Sequence, residues 1–169
     1  MSVFNPDKLV YGAVMEYILS NKFLAKTFKE TNITRYDAPT HNQFPHKKSL
    51  SPADCPELIL QILGYTSNLN SSSGYIDIYN FQATITTSAW TLDDAPIARI
   101  LRDWLIESNH NPYMHGYNWG EHMGFVKCEV LPTQMANSSA ELRNLSGWMY
   151  AVYFNIQVDR SIGVLTDGN

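Results

Sequence analysis

Apolar residues near the N-terminus recur at the three- and four-residue spacing of an amphipathic helix. The stretch Asn5-Pro6-Asp7 precedes them, and it supplies a capping side chain, a proline for the first turn and an acid for the positive end of the helix dipole. The pattern predicts a helix from about residue 6 to residue 28. Its apolar stripe consists of Leu9, Val10, Ala13, Val14, Tyr17 and Ile18.

Two segments in the middle of the chain have the patterns of β-strands. The run ELILQIL, residues 57–63, is almost continuously aliphatic, which is typical of a strand covered on both faces. The polar stretch TSNLNSSSG, residues 66–74, is rich in turn-forming residues and predicts a loop between strands. The next strand is predicted from Tyr75 to Thr87 by the alternation of apolar and polar residues.

The alternation in the second of these strands changes phase. Ile76 and Ile78 stand at even positions. Phe81 and Ile85 stand at odd positions. Because the side chains of a strand alternate between two faces, keeping both sets on one face requires an extra residue. We therefore expect a β-bulge or a bend near Tyr79-Asn80.

A second helix is predicted from about residue 92 to residue 108. Thr91 can cap this helix, and two acids follow in its first turn. The helix should end before Pro112, because proline disfavours helical backbone in the residue that precedes it. Its apolar face consists of Ile97, Ile100, Leu101, Trp104 and Leu105.

Two further strands are predicted in the last third of the chain. In the first, residues 125–131, Val126, Cys128 and Val130 share one side. The second, residues 148–159, has the clearest alternation of the sequence and predicts a long strand with one strongly buried face. That face consists of Trp148, Tyr150, Val152, Phe154, Ile156 and Val158.

The predicted elements follow the order α-β-β-α-β-β. Consecutive strands favour hairpin pairing, so the expected fold class is α+β, with two helices packed on a mainly antiparallel four-stranded sheet. The 169 residues are expected to form a single domain, residues 1–169, which buries roughly 70% of the surface of the unfolded chain. Long loops are expected at residues 31–52 and 109–124, and a flexible C-terminal tail at about residues 163–169.

Charge and leader patterns exclude several classes of protein. The formal net charge is -4 and no basic run is longer than Lys47-Lys48, so we expect no sequence-specific binding of nucleic acid, which needs a clustered basic face. No apolar run approaches the ~20 residues of a membrane span, and the N-terminus lacks the pattern of a signal peptide. Cys55 and Cys128 have no CxxC spacing and are interpreted as buried thiols.

The stretch HNPYMHGYNWGEHMGF, residues 110–125, contains three of the five histidines. His110, His115 and His122 are five and seven residues apart, a spacing that matches no usual pattern of zinc ligands. The chain also lacks a GxSxG turn and a glycine-rich phosphate loop. We therefore predict no catalytic residue, no cofactor and no metal, and expect that the protein is not an enzyme.

The aromatic residues of the same stretch favour a contact surface. Tyrosine, tryptophan and methionine are enriched in interface cores because they supply a large contact area at modest entropic cost. The alternative is that these side chains fold inward as a small satellite core, and both can hold at once. The predicted interface consists of Tyr113, Met114, His115, Tyr117, Trp119 and Met123.

The order of the elements and three stretches of sequence resemble a known family. These stretches are the proline-containing strand CPELILQIL, the strand FQATITT and the closing ELRNLSGWMYAVYFNIQV. They resemble the tail-terminator and neck (head-to-tail joining) proteins of tailed bacteriophages. The resemblance is strongest at Arg143, Gly147, Trp148, Val152, Phe154, Ile156 and Val158.

The resemblance implies a virion structural protein made in the host cytoplasm and located in the tail or neck. Such a protein forms a homo-oligomeric ring, commonly a hexamer, that caps the tail tube and joins it to the connector. The implied partners are the tail tube protein and the connector or neck proteins, with no membrane. The alternatives are another neck or tail-completion protein, a soluble ligand-binding module, and a metal-dependent hydrolase that uses the His/aromatic stretch.

Overall fold

A computed structural model describes seven segments of the chain: residues 4–28, 33–35, 56–71, 74–87, 96–131, 138–139 and 148–161. Most of the predicted loop 31–52, the predicted helix start at 92–95 and the predicted tail 163–169 lie outside these residues. The fold is α+β, as the sequence predicts.

One sheet organises the described strands. They run in the order β1-β2-β3-β6-β4, with β5 beside β6. The four long strands, β2, β3, β6 and β4, pair antiparallel, which confirms the predicted four-stranded sheet, and the short β1 adds to β2 in parallel. The strands are β1 Ile33–Arg35, β2 Glu57–Ser71, β3 Gly74–Thr87, β4 Met123–Val130, β5 Ser138–Ser139 and β6 Trp148–Ser161.

The described helices are α1 Pro6–Ser20, α2 Lys22–Thr27, α3 Pro96–Glu107 and α4 Pro112–Gly116. The prediction of a single helix over residues 6–28 is wrong, because the helix is interrupted at Asn21. The Asn21 side chain accepts hydrogen bonds from two amides of α2 and so begins a new helix, which is the local competition that disfavours asparagine inside helices. No helix in the described segments has the length and apolarity to cross a membrane.

Helices α1 and α3 pack on one face of the sheet through aromatic side chains that also make hydrogen bonds. The Tyr11 hydroxyl of α1 donates to the backbone oxygen of Leu60 at 2.6 Å. The Tyr17 ring stacks on Trp104 of α3 with 5.0 Å between centroids, and its hydroxyl donates to the Trp104 backbone oxygen at 2.6 Å. The hydroxyls of Tyr11 and Tyr17 therefore both keep a hydrogen-bond acceptor, which offsets the free-energy cost of burying them.

The bulge predicted near residues 79–80 is wrong, because β3 pairs with β6 without a break in register. From Asp77 onward, the odd-numbered side chains of β3 are buried on the face toward the helices. Ile76 and Ile78 lie on the opposite face of the sheet. The extra residue stands on the neighbouring strand, at Leu63 of β2. The phase change misled the prediction because a charged residue, Asp77, occupies an inward position beside Arg160.

Strands extend through most of the loop predicted at residues 66–74. Strand β2 continues to Ser71 and β3 begins at Gly74, so this polar stretch forms the end of a long hairpin. Asparagine and glycine are depleted in strands, but the cross-strand ladder overrides this preference here. Of the run 57–63 predicted as a strand covered on both faces, residues 57–62 are buried, but Leu63 is 45% exposed.

The loop predicted at residues 109–124 also contains regular structure. It includes α4, and β4 begins at Met123. Val126 was predicted on the buried side of this strand, but its side chain is 40% exposed. The cause is a shift in register between Phe125 and Lys127, which turns Val126 outward while Phe125 and Cys128 face the core.

Candidate functional site

Half of the six predicted interface residues lie in the core. Met114, Trp119 and Met123 are buried. The Trp119 indole nitrogen donates to the Met114 backbone oxygen at 2.8 Å, and its ring stacks on Phe125 at 6.5 Å. Asn111 caps the short helix that carries Met114, because its side-chain oxygen accepts a hydrogen bond from the Tyr113 backbone amide. These three side chains therefore fold inward, as in the alternative interpretation, but they join the main hydrophobic core and do not form a separate satellite core.

The other three predicted residues, Tyr113, His115 and Tyr117, reach the surface. His115 is exposed, stands edge-on to Phe125 at 4.9 Å and makes a hydrogen bond through its Nε2 to the Asn109 backbone oxygen. Tyr113 and Tyr117 are half-buried, with 6.3 Å between their rings. Their role as an interface stays a prediction.

A continuous chain of aromatic rings joins the helices to β4. The distances between successive ring centroids are 5.0, 5.7, 6.3, 5.1 and 6.5 Å. Each contact of this kind contributes about 0.5–1.5 kcal/mol beyond the burial of apolar area. The chain therefore holds the His/aromatic stretch rigidly against the helices. Its members, in order, are Trp104, Tyr17, Tyr113, Tyr117, Trp119 and Phe125.

One acidic side chain lies beside the exposed part of this chain of rings. The Tyr113 hydroxyl donates to a Glu16 carboxylate oxygen at 3.4 Å. Burial raises the pKa of both Tyr113 and Tyr117, and the negative charge of Glu16 raises each further. Both phenols therefore stay protonated at neutral pH and can act as hydrogen-bond donors.

The described residues do not assemble a metal site. Within them, no group of three His, Cys, Asp or Glu side chains stands close enough to hold an ion. His110, His115 and His122 are exposed along the surface. The ligand-binding alternative loses Trp119 as a pocket residue, since that side chain is buried in the core.

The β4 edge of the sheet is closed by a side chain. The Asn109 amide nitrogen donates to the Cys128 backbone oxygen at 2.7 Å, and its amide oxygen accepts from the Cys128 backbone nitrogen at 2.8 Å. This one side chain thus satisfies the backbone groups of Cys128 as a neighbouring strand would. The outward bulge at Val126 and the exposed charges of Lys127 and Glu129 further discourage edge-to-edge pairing.

The β2 edge also contains a bulge, at Leu63, but it differs from the β4 edge in its charge and in its neighbours. Strand β1 pairs with residues 58–60, and no other described strand lies on the outer side of β2. No charged residue occurs between Leu58 and Ile76. The exposed fractions of Leu63, Tyr65 and Leu69 are 45%, 51% and 65%. A long, uncharged edge with exposed apolar side chains is a template for pairing with another chain.

A buried ion pair holds this edge in place. Asp77 accepts a hydrogen bond from Arg160 Nε at 2.6 Å and another from the Ser67 hydroxyl, so it ties β3 to both neighbouring strands. The Arg160 guanidinium also lies 4.8 Å from the centre of the Tyr75 ring. Hydrogen bonding to Asp77 raises the pKa of Arg160. The pair was missed from sequence, although Asp77 shares the odd phase of Phe81.

The open β2 edge and the surface around Tyr113 are thus the two candidate contact regions of the described chain. The first overlaps residues 66–74, which the sequence predicted as a loop and not as a strand edge, and the uncharged stretch from Leu58 to Ile76 marks it. The second contains half of the predicted interface. Comparison with models of protein families and with curated proteins gives no match.

Proposed function

We propose that this chain is a virion structural protein, a ring-forming tail terminator that caps the tail tube at the head-to-tail junction and joins it to the connector. The resemblance in element order and in the closing strand motivates this choice. The observation that carries the assembly role is the uncharged β2 edge, which no described strand covers beyond Leu60 and on which Tyr65 and Leu69 are exposed. Another neck or tail-completion protein is the alternative within the same class.

The chemistry of the β2 edge suits contact with a neighbouring subunit. Main-chain groups on the outer side of Gly64–Ser71 can pair with a strand of another chain. Full burial of a leucine side chain contributes about 1.5–3 kcal/mol, so covering Leu69 and Tyr65 adds substantially to the main-chain pairing. Tyr65 already stacks on Tyr79 at 5.5 Å, which holds its ring in position for a neighbour.

The difference between the two edges gives the contact a direction. Because Asn109 already pairs with the outward-facing backbone groups of Cys128, β4 is a poor partner for β2 of the next subunit. We therefore expect the β2 edge to meet a different surface of its neighbour. Contacts of this head-to-tail kind close into a ring when the rotation between subunits divides a full turn.

The first test is the oligomeric state of the purified full chain, measured by native mass spectrometry and by light scattering. We expect a ring, with six copies as the leading number. The double variant Tyr65→Lys/Leu69→Lys should dissociate to monomers, because it places two charges on the edge. Val126→Lys is the matched control, since Val126 is also exposed on an edge strand.

Circular dichroism of the variants must show the wild-type fold for the comparison to count. A wild-type chain that stays monomeric at high concentration would overturn the proposal. Equal dissociation by Val126→Lys would show that any added charge weakens assembly and that β2 has no special role. A stable dimer in place of a ring would refute ring closure, since it indicates a two-fold contact between equivalent edges.

A further inference from the structure

Two surface grooves lie on either side of the Tyr113 side chain. The first, of about 480 Å³, runs along α1, and the second, of about 530 Å³, lies between α1 and α4. Glu16 and Tyr113 line both grooves, so together the two form one trough across this pair of residues. Lys8 and Gly12 line the first groove, and Tyr117 lines the second.

Glu16 brings a negative charge to the centre of this trough. The side chain is exposed, and its partner among the described residues is the Tyr113 hydroxyl at 3.4 Å. None of the described lysines and arginines forms an ion pair with it. A carboxylate beside the Tyr113 hydroxyl, in a groove that Tyr117 also lines, is therefore available to a cation from outside the described chain.

We propose that Glu16, Tyr113 and Tyr117 bind an arginine side chain carried by an extended segment of a partner protein. A guanidinium group can pair with a carboxylate through two parallel hydrogen bonds and can lie flat on an aromatic ring. The site offers both kinds of group, because the carboxylate and the two tyrosines line the same groove. Arginine fits better than lysine, whose compact ammonium cannot use the flat ring faces in the same way.

The trough also sets what should accompany the arginine. Lys8 stands eight residues before Glu16 on α1, which places it about 12 Å away at 1.5 Å per residue. An extended peptide covers that distance in about four residues at ~3.3 Å each. An acidic residue four positions from the arginine would therefore reach Lys8. This site is separate from the β2 edge and does not depend on ring formation.

The test is a titration of the full chain with the peptide acetyl-Gly-Arg-Gly-Gly-Gly-Asp-Gly-amide, followed by the NMR shifts of backbone amides. We expect saturable shifts confined to α1 and α4. Glu16→Gln should weaken binding about 10-fold, as expected for a charge-assisted hydrogen bond. Glu121→Gln is the matched control, because Glu121 is exposed and lines neither groove, and should leave binding unchanged.

A second variant blocks the trough without changing its charge. A Cβ atom added at Gly12 would meet no atom within 4 Å, and Gly12 lines the first groove, so we expect the leucine of Gly12→Leu to enter that groove. Leucine also favours the helix over glycine by roughly 0.5–1 kcal/mol, so the variant should fold. We expect it to abolish peptide binding. A peptide with glutamine in place of arginine should not bind to the wild type.

Three results would overturn this inference. The first is an absence of saturable shifts up to about 10 mM peptide, a range that would detect even millimolar affinity. The second is equal weakening by Glu16→Gln and Glu121→Gln, which would indicate a general effect of charge. The third is full binding by Gly12→Leu, which would place the peptide elsewhere.

Discussion

The Asp77–Arg160 ion pair gives the sharpest prediction about stability. The side chains are 2% and 10% exposed, and 2.6 Å separates the closest donor and acceptor. Removing one member of a buried pair leaves the other charge without compensation, which typically costs 3–5 kcal/mol. We expect about 3 kcal/mol for either Asp77→Leu or Arg160→Met, toward the lower end because Arg160 keeps some contact with water. The total free energy of unfolding of a folded domain is only about 5–15 kcal/mol.

The double variant Asp77→Leu/Arg160→Met should behave differently from the sum of its parts. Replacing a whole buried pair by apolar side chains is often neutral or stabilising, so we expect the double variant within about 1 kcal/mol of the wild type. The assay is urea unfolding followed by tryptophan fluorescence. All variants must be compared at one protein concentration, because association changes apparent stability.

Two outcomes would refute this reasoning. Single substitutions that change the free energy of unfolding by less than about 0.5 kcal/mol would show that water screens the pair. A double variant that loses the sum of both single effects would show that the two side chains act independently. Because the Ser67 hydroxyl also donates to Asp77, we further expect Asp77→Leu to loosen the β2 edge and weaken assembly.

Three other predictions address the rest of the fold. Asn109→Ala removes both hydrogen bonds that close the β4 edge, so it should lower the free energy of unfolding by about 1–3 kcal/mol and promote aggregation, seen by urea unfolding and light scattering. Burial raises the pKa of the Cys128 thiol from 9.0 to about 12 in the folded chain. Because the thiol of the unfolded chain ionises at a lower pH, the free energy of unfolding should fall as pH rises above about 9, by up to ~1.4 kcal/mol per pH unit. In melting experiments, Cys128→Ala should move the pH at which stability begins to fall to above about pH 10. Above that pH, Tyr17 and Tyr79 also lower the free energy of unfolding, because burial raises their pKa values in the folded chain. Trp119→Ala should cost about 3–5 kcal/mol, measured by urea unfolding, whereas a loss below about 1 kcal/mol would contradict its place in the core.

Local patterns predicted the elements well where one periodicity ran without interruption. The stripe of α1 and the alternation of β6 are both present in the structure, because each follows from burial of one face. The break at Asn21 was missed, since an apolar pattern continues across a residue whose side chain caps a new helix. Capping decides such a boundary, and periodicity does not register it.

The errors in the strands have a different cause. The change of phase in β3 comes from Asp77 at an inward position and not from an extra residue, and the bulge at Leu63 of β2 left no sign in the sequence of β3. The inward position of Asp77 depends on Arg160, which lies 83 residues further along the chain. Such a pairing is set by the assembled sheet, so the sequence around Asp77 alone cannot reveal it.

The sequence identified several residues of the candidate site but did not show which of them are buried and which are exposed. Tyr113 and Trp119 belong to the same aromatic stretch, yet the first reaches the surface and the second is buried. Their difference follows from packing against α1 and Phe125, which residue type does not encode. Glu16 and the β2 edge lie far from this stretch in sequence and emerge only once the elements are packed together.

Amide hydrogen exchange of β2 tests the central claim most directly. The assembled wild-type chain should be compared with the Tyr65→Lys/Leu69→Lys variant under the same conditions. We predict that the amides of residues 64–71 exchange at least about tenfold more slowly in the assembled chain, because a neighbouring subunit covers them. Equal exchange of this segment in the two proteins would contradict assembly through the β2 edge.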